Sequence, residues 1–318
     1  MGGRGSCRAA GWQALDPKRL GRSLALPDLA STMEGNYLRQ ELQEMTSRFT
    51  DPVELQRVEN LQFKFGSGSL EGKVILVPGG TGGLGACLLA LLLAEGAVPV
   101  AGYRSNRSRA EFVKSRLESK FGGTVHLIEG DLRDDGARCL YLEEAAKFAG
   151  SIDGMACFVG DPARVPSEGP TAGDLARSYE SNFIAPMLLA KAVGEHMIAR
   201  KVHGSIVLLS SMQGVGVFEN SLNYAAPKAA IVHACRILAK QWSGRSVQLN
   251  VVAPGATIAG MATSSVNSGK YDRYVEEGTI SRFGLPEDVS RAVRFLLEPD
   301  CYITGQVLLV DGGMSLKA

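Results

Sequence analysis

The chain has 318 residues, 45% hydrophobic and 21% charged, with a formal net charge of +1. That length suffices for one large or two modest domains with a proper core, and so even a charge balance gives no global field pointing to nucleic acid. No apolar run is long enough to span a bilayer; the longest, around Leu84–Ala94, carries Gly85 and reads as a buried helix.

Residues 1–30 are rich in Arg, Gly and Ala, with Asp16 and Asp28 as their only acids, and have no apolar periodicity. They lack the charged-then-apolar pattern of a secretory signal. A disordered leader over 1–31 is expected, an organelle transit peptide being the alternative. Tyr37, Leu38, Leu42, Met45 and Phe49 then fall on one helical face. Asp51-Pro52-Val53-Glu54 is a helix start, and Val58, Leu61 and Phe65 continue an apolar stripe. Residues 32–69 therefore predict a helical extension whose apolar faces need the main domain or another subunit. It ends in the flexible linker Gly66-Ser67-Gly68-Ser69.

From Leu70 onward, β-branched runs alternate with helical patterns. Strands are predicted at 73–77, 98–103, 124–129, 154–159, 204–209, 247–252 and 306–310. Helices are predicted at 83–95, 107–121, 139–150, 171–200, 222–243 and 286–297. Near-continuous apolar strands alternating with helices predict an α/β, doubly wound parallel sheet, the Rossmann class, over residues 70–318. Six scattered cysteines form no C-x-x-C pair and read as reduced, buried thiols of a cytoplasmic protein. Four histidines show no metal spacing, so no metal site is expected.

After the first strand comes Pro78-Gly79-Gly80-Thr81-Gly82-Gly83-Leu84-Gly85. Its glycines permit close backbone approach, and a helix starting near Gly82 aims its N-terminus at a pyrophosphate. The second strand ends at Tyr103, followed by Arg104, Ser105 and Arg107, with no acid where a ribose 2′-hydroxyl would be read. Cations there suit a 2′-phosphate, so NADP(H) is favoured over NAD(H).

Further on, Tyr224-Ala225-Ala226-Pro227-Lys228 puts a phenol and an ammonium on one helical face, one turn apart. The lysine's charge is expected to ease proton release from the tyrosine, whose ordinary pKa is about 10. Ser211, thirteen residues before Tyr224, closes a predicted strand and can hold a substrate oxygen beside it. Pro227 is expected near the helix start, where its missing N–H costs nothing.

Together these residues resemble the short-chain dehydrogenase/reductase family, within it the 3-oxoacyl-[acyl-carrier-protein] reductase-like group. The resemblance runs from about Leu70 to Ala318. It extends to Asp131-Leu132 after the third strand, Ser181-Asn182-Phe183, Asn250-Val251-Val252-Ala253-Pro254-Gly255, Arg282-Phe283-Gly284 and Asp311-Gly312-Gly313. The resemblance implies catalytic roles for Ser211, Tyr224, Lys228 and Asn182, the last holding a water that links Lys228 to solvent. It implies cofactor contacts from Gly79, Thr81, Gly82, Gly83, Leu84 and Gly85, from Asp131 and Leu132 at the adenine, and from Gly160. Lys228 would bind the nicotinamide ribose, and Pro254, Gly255 and the Thr257 backbone the nicotinamide. It also implies a homotetramer. Three departures stand out: Pro78 for a usual Thr, Cys157-Phe158-Val159 for Asn-Asn-Ala, and Thr257 and Ala259 for the usual Ile and Thr.

The function expected is NADPH-dependent reduction of a small-molecule carbonyl or acyl-thioester, or the reverse. A catalytically idle NADP-binding regulator using residues 32–65 as a partner arm is the alternative from another class. An epimerase or dehydratase is disfavoured, because those relatives carry a larger C-terminal domain. Residues 256–281 are expected to form a substrate lid, with Met261, Val266, Tyr271 and Tyr274 offering apolar contact and Lys270 and Arg273 too sparse to mark an acidic carrier.

Overall fold

Seven short apolar runs become the strands β1 (Val74–Pro78), β2 (Val98–Tyr103), β3 (His126–Glu129), β4 (Gly154–Cys157), β5 (Gly204–Leu209), β6 (Val247–Pro254) and β7 (Val307–Val310). They form one parallel sheet ordered β3-β2-β1-β4-β5-β6-β7 in this computed structural model. It describes residues 69–165, 169–299 and 301–316; the leader and helical extension predicted within 1–68 lie outside the described residues. The connecting helices are α1 (Gly83–Ala94), α2 (Arg107–Phe121), α3 (Asp135–Ala149), α4 (Ala172–Tyr179), α5 (Ala185–Ala199) and α6 (Leu222–Gln241). Short α7 (Thr263–Asn267) and α8 (Asp272–Glu276) then precede α9 (Pro286–Leu296).

Alternation along β1 shows why both faces are covered. Ile75 and Val77 pack with Leu88 of α1, Leu117 of α2 and Val293 of α9. Val74 and Leu76 pack with Tyr141 of α3, Leu189 of α5 and Ile231 of α6. Burying apolar side chains on both faces drives this layering, at about 25 cal/mol per Å² removed from water. The order of the sheet reverses between β1 and β4, and the crevice at such a switch point is where α/β sheets bind ligands.

The structure departs from the predicted elements in three instructive places. The single helix expected over 171–200 is broken by a π-helical stretch, Glu180–Ile184, between α4 and α5. Pro186, in the first turn of α5, has no N–H to give the Asn182 carbonyl four residues back, so regular α bonding cannot run through. α3 begins four residues before the predicted start, because the Asp134 side chain caps it by accepting from the Ala137 N–H at 2.8 Å. β4 stops at Cys157, two residues early, and Phe158–Gly160 turns into the crevice.

Among the described residues no helix is long and apolar enough to cross a membrane, and no cluster of His, Cys, Asp and Glu could hold a metal. Cys87, Cys157 and Cys235 are buried, Cys139 is exposed and Cys301 is in between.

Candidate active site

A cleft of about 840 Å³ opens along the C-terminal ends of the strands. Gly79, Thr81, Gly82, Gly83, Leu84 and Gly85 line it. Gly79 has φ +76°, and a Cβ there would stand 2.9 Å from the Phe158 carbonyl carbon, so only glycine allows this turn to press against β4's end. Gly82 precedes α1 and offers no side-chain cap, leaving the helix's first turn to face the cleft with backbone alone. Such a terminus favours an anion. Pro78, despite lacking an N–H, stays in register: its carbonyl accepts from Phe158 N–H at 2.8 Å.

At one end the walls are Tyr103, Arg104, Asp131, Leu132 and Tyr141. Ser105 and Arg107 stand outside these walls, and Arg107 makes a long 3.9 Å contact with Glu111. The corner expected to hold no acid has one nearby. The Tyr103 hydroxyl donates to Glu129 at 2.9 Å, because the parallel register sets Tyr103 opposite Glu129. Burial first, and then Glu129, raise the Tyr103 pKa. Arg133, which the sequence reading passed over, also lines the cleft and pairs with Asp131 at 2.5 Å, holding that carboxyl below the usual carboxylate range. Arg109, equally unforeseen, donates to the Thr81 carbonyl at 2.9 Å and ties α2 to the glycine turn.

At the other end Ser211, Tyr224 and Lys228 converge on the same cleft with Gly160, Pro254, Gly255 and Thr257. Ser211 is extended and caps the short turn Met212–Gly214 after β5. Its neighbour Ser210 donates to the Lys228 carbonyl at 2.8 Å, stapling α6 to β5. Lys228 is 2% exposed, and its ammonium donates to the Leu209 carbonyl at 2.9 Å. Burial lowers its pKa to about 8. Tyr224 does not have the eased acidity expected of it: burial raises its pKa to about 12, partly offset by a hydrogen bond with Ser211. Lys228 Nζ sits 5.7 Å from the tyrosine ring centroid, so desolvation outweighs its charge here. Thr257 donates from its hydroxyl to the Gly255 carbonyl at 3.1 Å, and Gly284 closes this loop by donating to the Ala256 carbonyl at 2.9 Å.

Asn182 is fully buried and lies behind the cleft wall. Its Oδ1 accepts from the Asp161 N–H at 3.0 Å, and a Cβ on Gly160 would meet that oxygen at 2.9 Å and Lys228 Nζ at 3.4 Å. Asn182 Nδ2 donates to the Ser178 hydroxyl at 3.2 Å, which donates onward to the Asn223 carbonyl at 2.5 Å. The last contact corrects the expectation for Pro227. That proline is the sixth residue of α6, beyond the first turn, so its missing N–H does deprive the Asn223 carbonyl of a helical partner. Ser178 replaces it. The Ser178-x-x-x-Asn182 spacing on one helical face was a readable signal for half of this network.

The lid is a small apolar cluster of its own. Val266, Tyr271 and Tyr274 pack there with Ile280 and Met212, and Met261 and Tyr271 line the cleft. Arg164, from the segment after β4, reaches across to the Ser264 hydroxyl. Lys270 also lines the cleft, while Arg273 stacks on Tyr274 at 4.9 Å. This assembly presents a phenol, a hydroxyl and a buried ammonium around one point, which is a means of giving a proton to an oxygen. Beside it runs a backbone-lined channel suited to an elongated ligand with anionic phosphates.

The family described as enoyl-(acyl carrier protein) reductase matches residues 79–315. A 3β-hydroxysteroid dehydrogenase of Eggerthella lenta is 29% identical, over 78% of this chain and 95% of its own length. A 3-oxoacyl-[acyl-carrier-protein] reductase of Aquifex aeolicus is 30% identical, over 77% and 98%. A solved short-chain dehydrogenase/reductase from Serratia marcescens superimposes with a TM-score of 0.70 at 28% identity, covering 78% of this chain and 99% of that one.

Proposed function

The chain belongs to the short-chain dehydrogenase/reductase family, and on that premise we propose that it is an NADPH-dependent oxidoreductase reducing a ketone or aldehyde to an alcohol, or running the reverse. Oxidoreductase chemistry at CH–OH and C=O groups follows from the family; the cofactor choice and the residue roles are our reading. The observation that carries it is the meeting of Ser211, Tyr224 and Lys228 in a cleft that begins at an uncapped helix N-terminus.

The residues fit a nicotinamide dinucleotide phosphate. The turn Gly79–Gly85 would hold the pyrophosphate on backbone N–H groups. Arg104, reinforced by Ser105 and Arg107, would take the 2′-phosphate, Asp131 and Leu132 the adenine, and Gly160 the adjoining ribose. Pro254, Gly255 and Thr257 would hold the nicotinamide. When bound, that group supplies or accepts the hydride. Tyr224 delivers its proton to the substrate oxygen, and its high pKa in the buried site keeps that proton in place until charge develops. Ser211 donates a hydrogen bond to the same oxygen. Lys228, fixed by the Leu209 carbonyl, stabilises the charge left on Tyr224. Asn182 would hold the water through which Lys228 passes a proton from solvent.

We further propose a small-molecule carbonyl or acyl-thioester substrate, a cytoplasmic homotetramer, and the division 1–31, 32–69 and 70–318. Light scattering on the full chain tests the assembly; a monomer would refute it. The function is tested by NADPH oxidation over acyl-thioester, sugar, steroid and quinone-type carbonyls. Turnover of none of them, with NADPH bound, would favour the idle regulator instead.

A further inference from the structure

Two side chains beside the reactive groups take no part in that proton transfer. Gln213 follows Ser211 by two residues, and its backbone N–H donates to the Ser211 hydroxyl at 3.3 Å. Its carboxamide Nε2 donates to the Tyr271 hydroxyl, also at 3.3 Å. Both residues line the cleft. Tyr271 is 9% exposed, its ring packed with Met212 and Ile280, so its hydroxyl is held in place from behind.

The bond between them leaves two donors and an acceptor over. Gln213 Oε1 keeps its lone pairs, Gln213 Nε2 its second hydrogen and the Tyr271 O–H its own, and none has another partner among the described residues. If the carboxamide is turned over, Tyr271 donates to it instead, and the two N–H donors and the lone pair of the Tyr271 oxygen remain. A hydroxyl is the group that satisfies both kinds at once, since it donates and accepts through one oxygen. A ligand without it leaves half-buried polar groups unpaired, which is costly. The neighbouring wall agrees: Asn220, Ser265 and Lys270 line the cleft with hydrogen-bonding groups, against one long apolar side chain, Met261, from the lid.

We infer that the substrate carries a hydroxyl close to its reacting carbonyl, as in a hydroxy ketone or hydroxy aldehyde, and that Gln213 and Tyr271 hold that hydroxyl. This rests on the proposed function and narrows its substrate class. Both residues determine specificity; the proton is moved by others.

The test compares 2-hydroxycyclohexanone with cyclohexanone, using the full chain and saturating NADPH. The hydroxy ketone should be favoured roughly tenfold or more in kcat/KM, mostly through KM, as expected for a hydroxyl satisfying both halves of the pair. Gln213→Met and Tyr271→Phe should each pull that ratio toward one, raising KM for the hydroxy ketone more than they lower kcat. Either folded variant suffices. A wild-type ratio near one, or a ratio unchanged in the variants, overturns the inference while leaving the reductase reading intact. If neither ketone turns over, the inference is read from binding instead. trans-Cyclohexane-1,2-diol should then raise the melting temperature of the wild type more than cyclohexanol does, and the variants should lose the difference. Equal protection by the two alcohols overturns it.

Discussion

Lys228 and Arg104 are both cations on the wall of one cleft, yet the fold treats them in opposite ways. Lys228 is 2% exposed, bonded to the Leu209 carbonyl and deprived of water enough to lower its pKa to about 8. Arg104 is exposed at the end of β2, with no hydrogen bond or ion pair to any described residue. The same contrast separates their neighbourhoods. Around Lys228, Asn182, Ser210 and Ser211 are buried, and the half-buried Tyr224 is hydrogen-bonded with Ser211. Around Arg104, charges stand in water or pair with each other, as Arg133 does with Asp131. Positions at the reactive end are set by the protein before any ligand arrives. At the outer end only the sign of the field is set, and a ligand must do the rest.

The sharpest way to break this contrast is Tyr224→Phe. The ring stays and only the hydroxyl goes, so the protein should fold and bind cofactor while turnover falls at least about a hundredfold. Retained activity in a folded variant would remove Tyr224 from its role. At the outer end, Tyr103→Asp with Arg104→Ala should lower the melting temperature somewhat, because a buried ring is lost and the new carboxylate stands opposite Glu129. It should erode a preference for NADPH over NADH of about ten- to a hundredfold, since hydrogen bonds to charged groups contribute roughly 1.5–3 kcal/mol. Steady-state kinetics with both cofactors decide this, and an unchanged preference would show the 2′ site to lie elsewhere.

A pH profile probes the reactive end without mutation. Lys228 loses its proton as pH rises through about 8. The ammonium is then gone while Tyr224, with its pKa near 12, remains protonated. Carbonyl reduction should therefore decline above about pH 8, by about tenfold per pH unit once the neutral amine predominates. A profile flat to pH 10 would mean that the lysine's charge is dispensable. Smaller still is the effect of Ser178→Ala, which strands the buried Asn223 carbonyl at a cost of about 1–3 kcal/mol, a drop of several degrees in melting temperature. In a Pro227→Ala background that cost should shrink, because the restored N–H reaches the same carbonyl. Equal losses in both backgrounds would refute the exchange. Smallest of all, Glu129→Gln should strengthen NADPH preference by about two- to fivefold, by removing a carboxylate that opposes a phosphate; no change in the ratio of dissociation constants would place Glu129 too far away.

What could be read from the sequence follows the same division. The strands, the glycine turn and the order Ser211, Tyr224, Lys228 were legible because period and spacing are local properties. The charge environment of Tyr103 was not, because Glu129 arrives through strand register across twenty-six residues. The acidity of Tyr224 was misjudged for a related reason: a lysine one helical turn away is visible in a string of letters, whereas the depth of burial is not. The break at Glu180–Ile184 had a written cause in Pro186, but a proline near a helix start and one inside a helix look alike until the helix ends are known.

Pro227 and Ser178 also constrain how this chain can change over generations. Ser178 can be exchanged safely only after position 227 has regained an N–H, and proline can enter at 227 only while a hydroxyl already stands at 178. Two of the four single steps around this square therefore pass through a molecule with a stranded buried carbonyl. The same serine also holds Asn182, so the neutral path around the square is narrower than two separate positions would suggest. A library that randomises both positions together should return hydroxyl-with-proline and donor-with-anything far more often than proline alone.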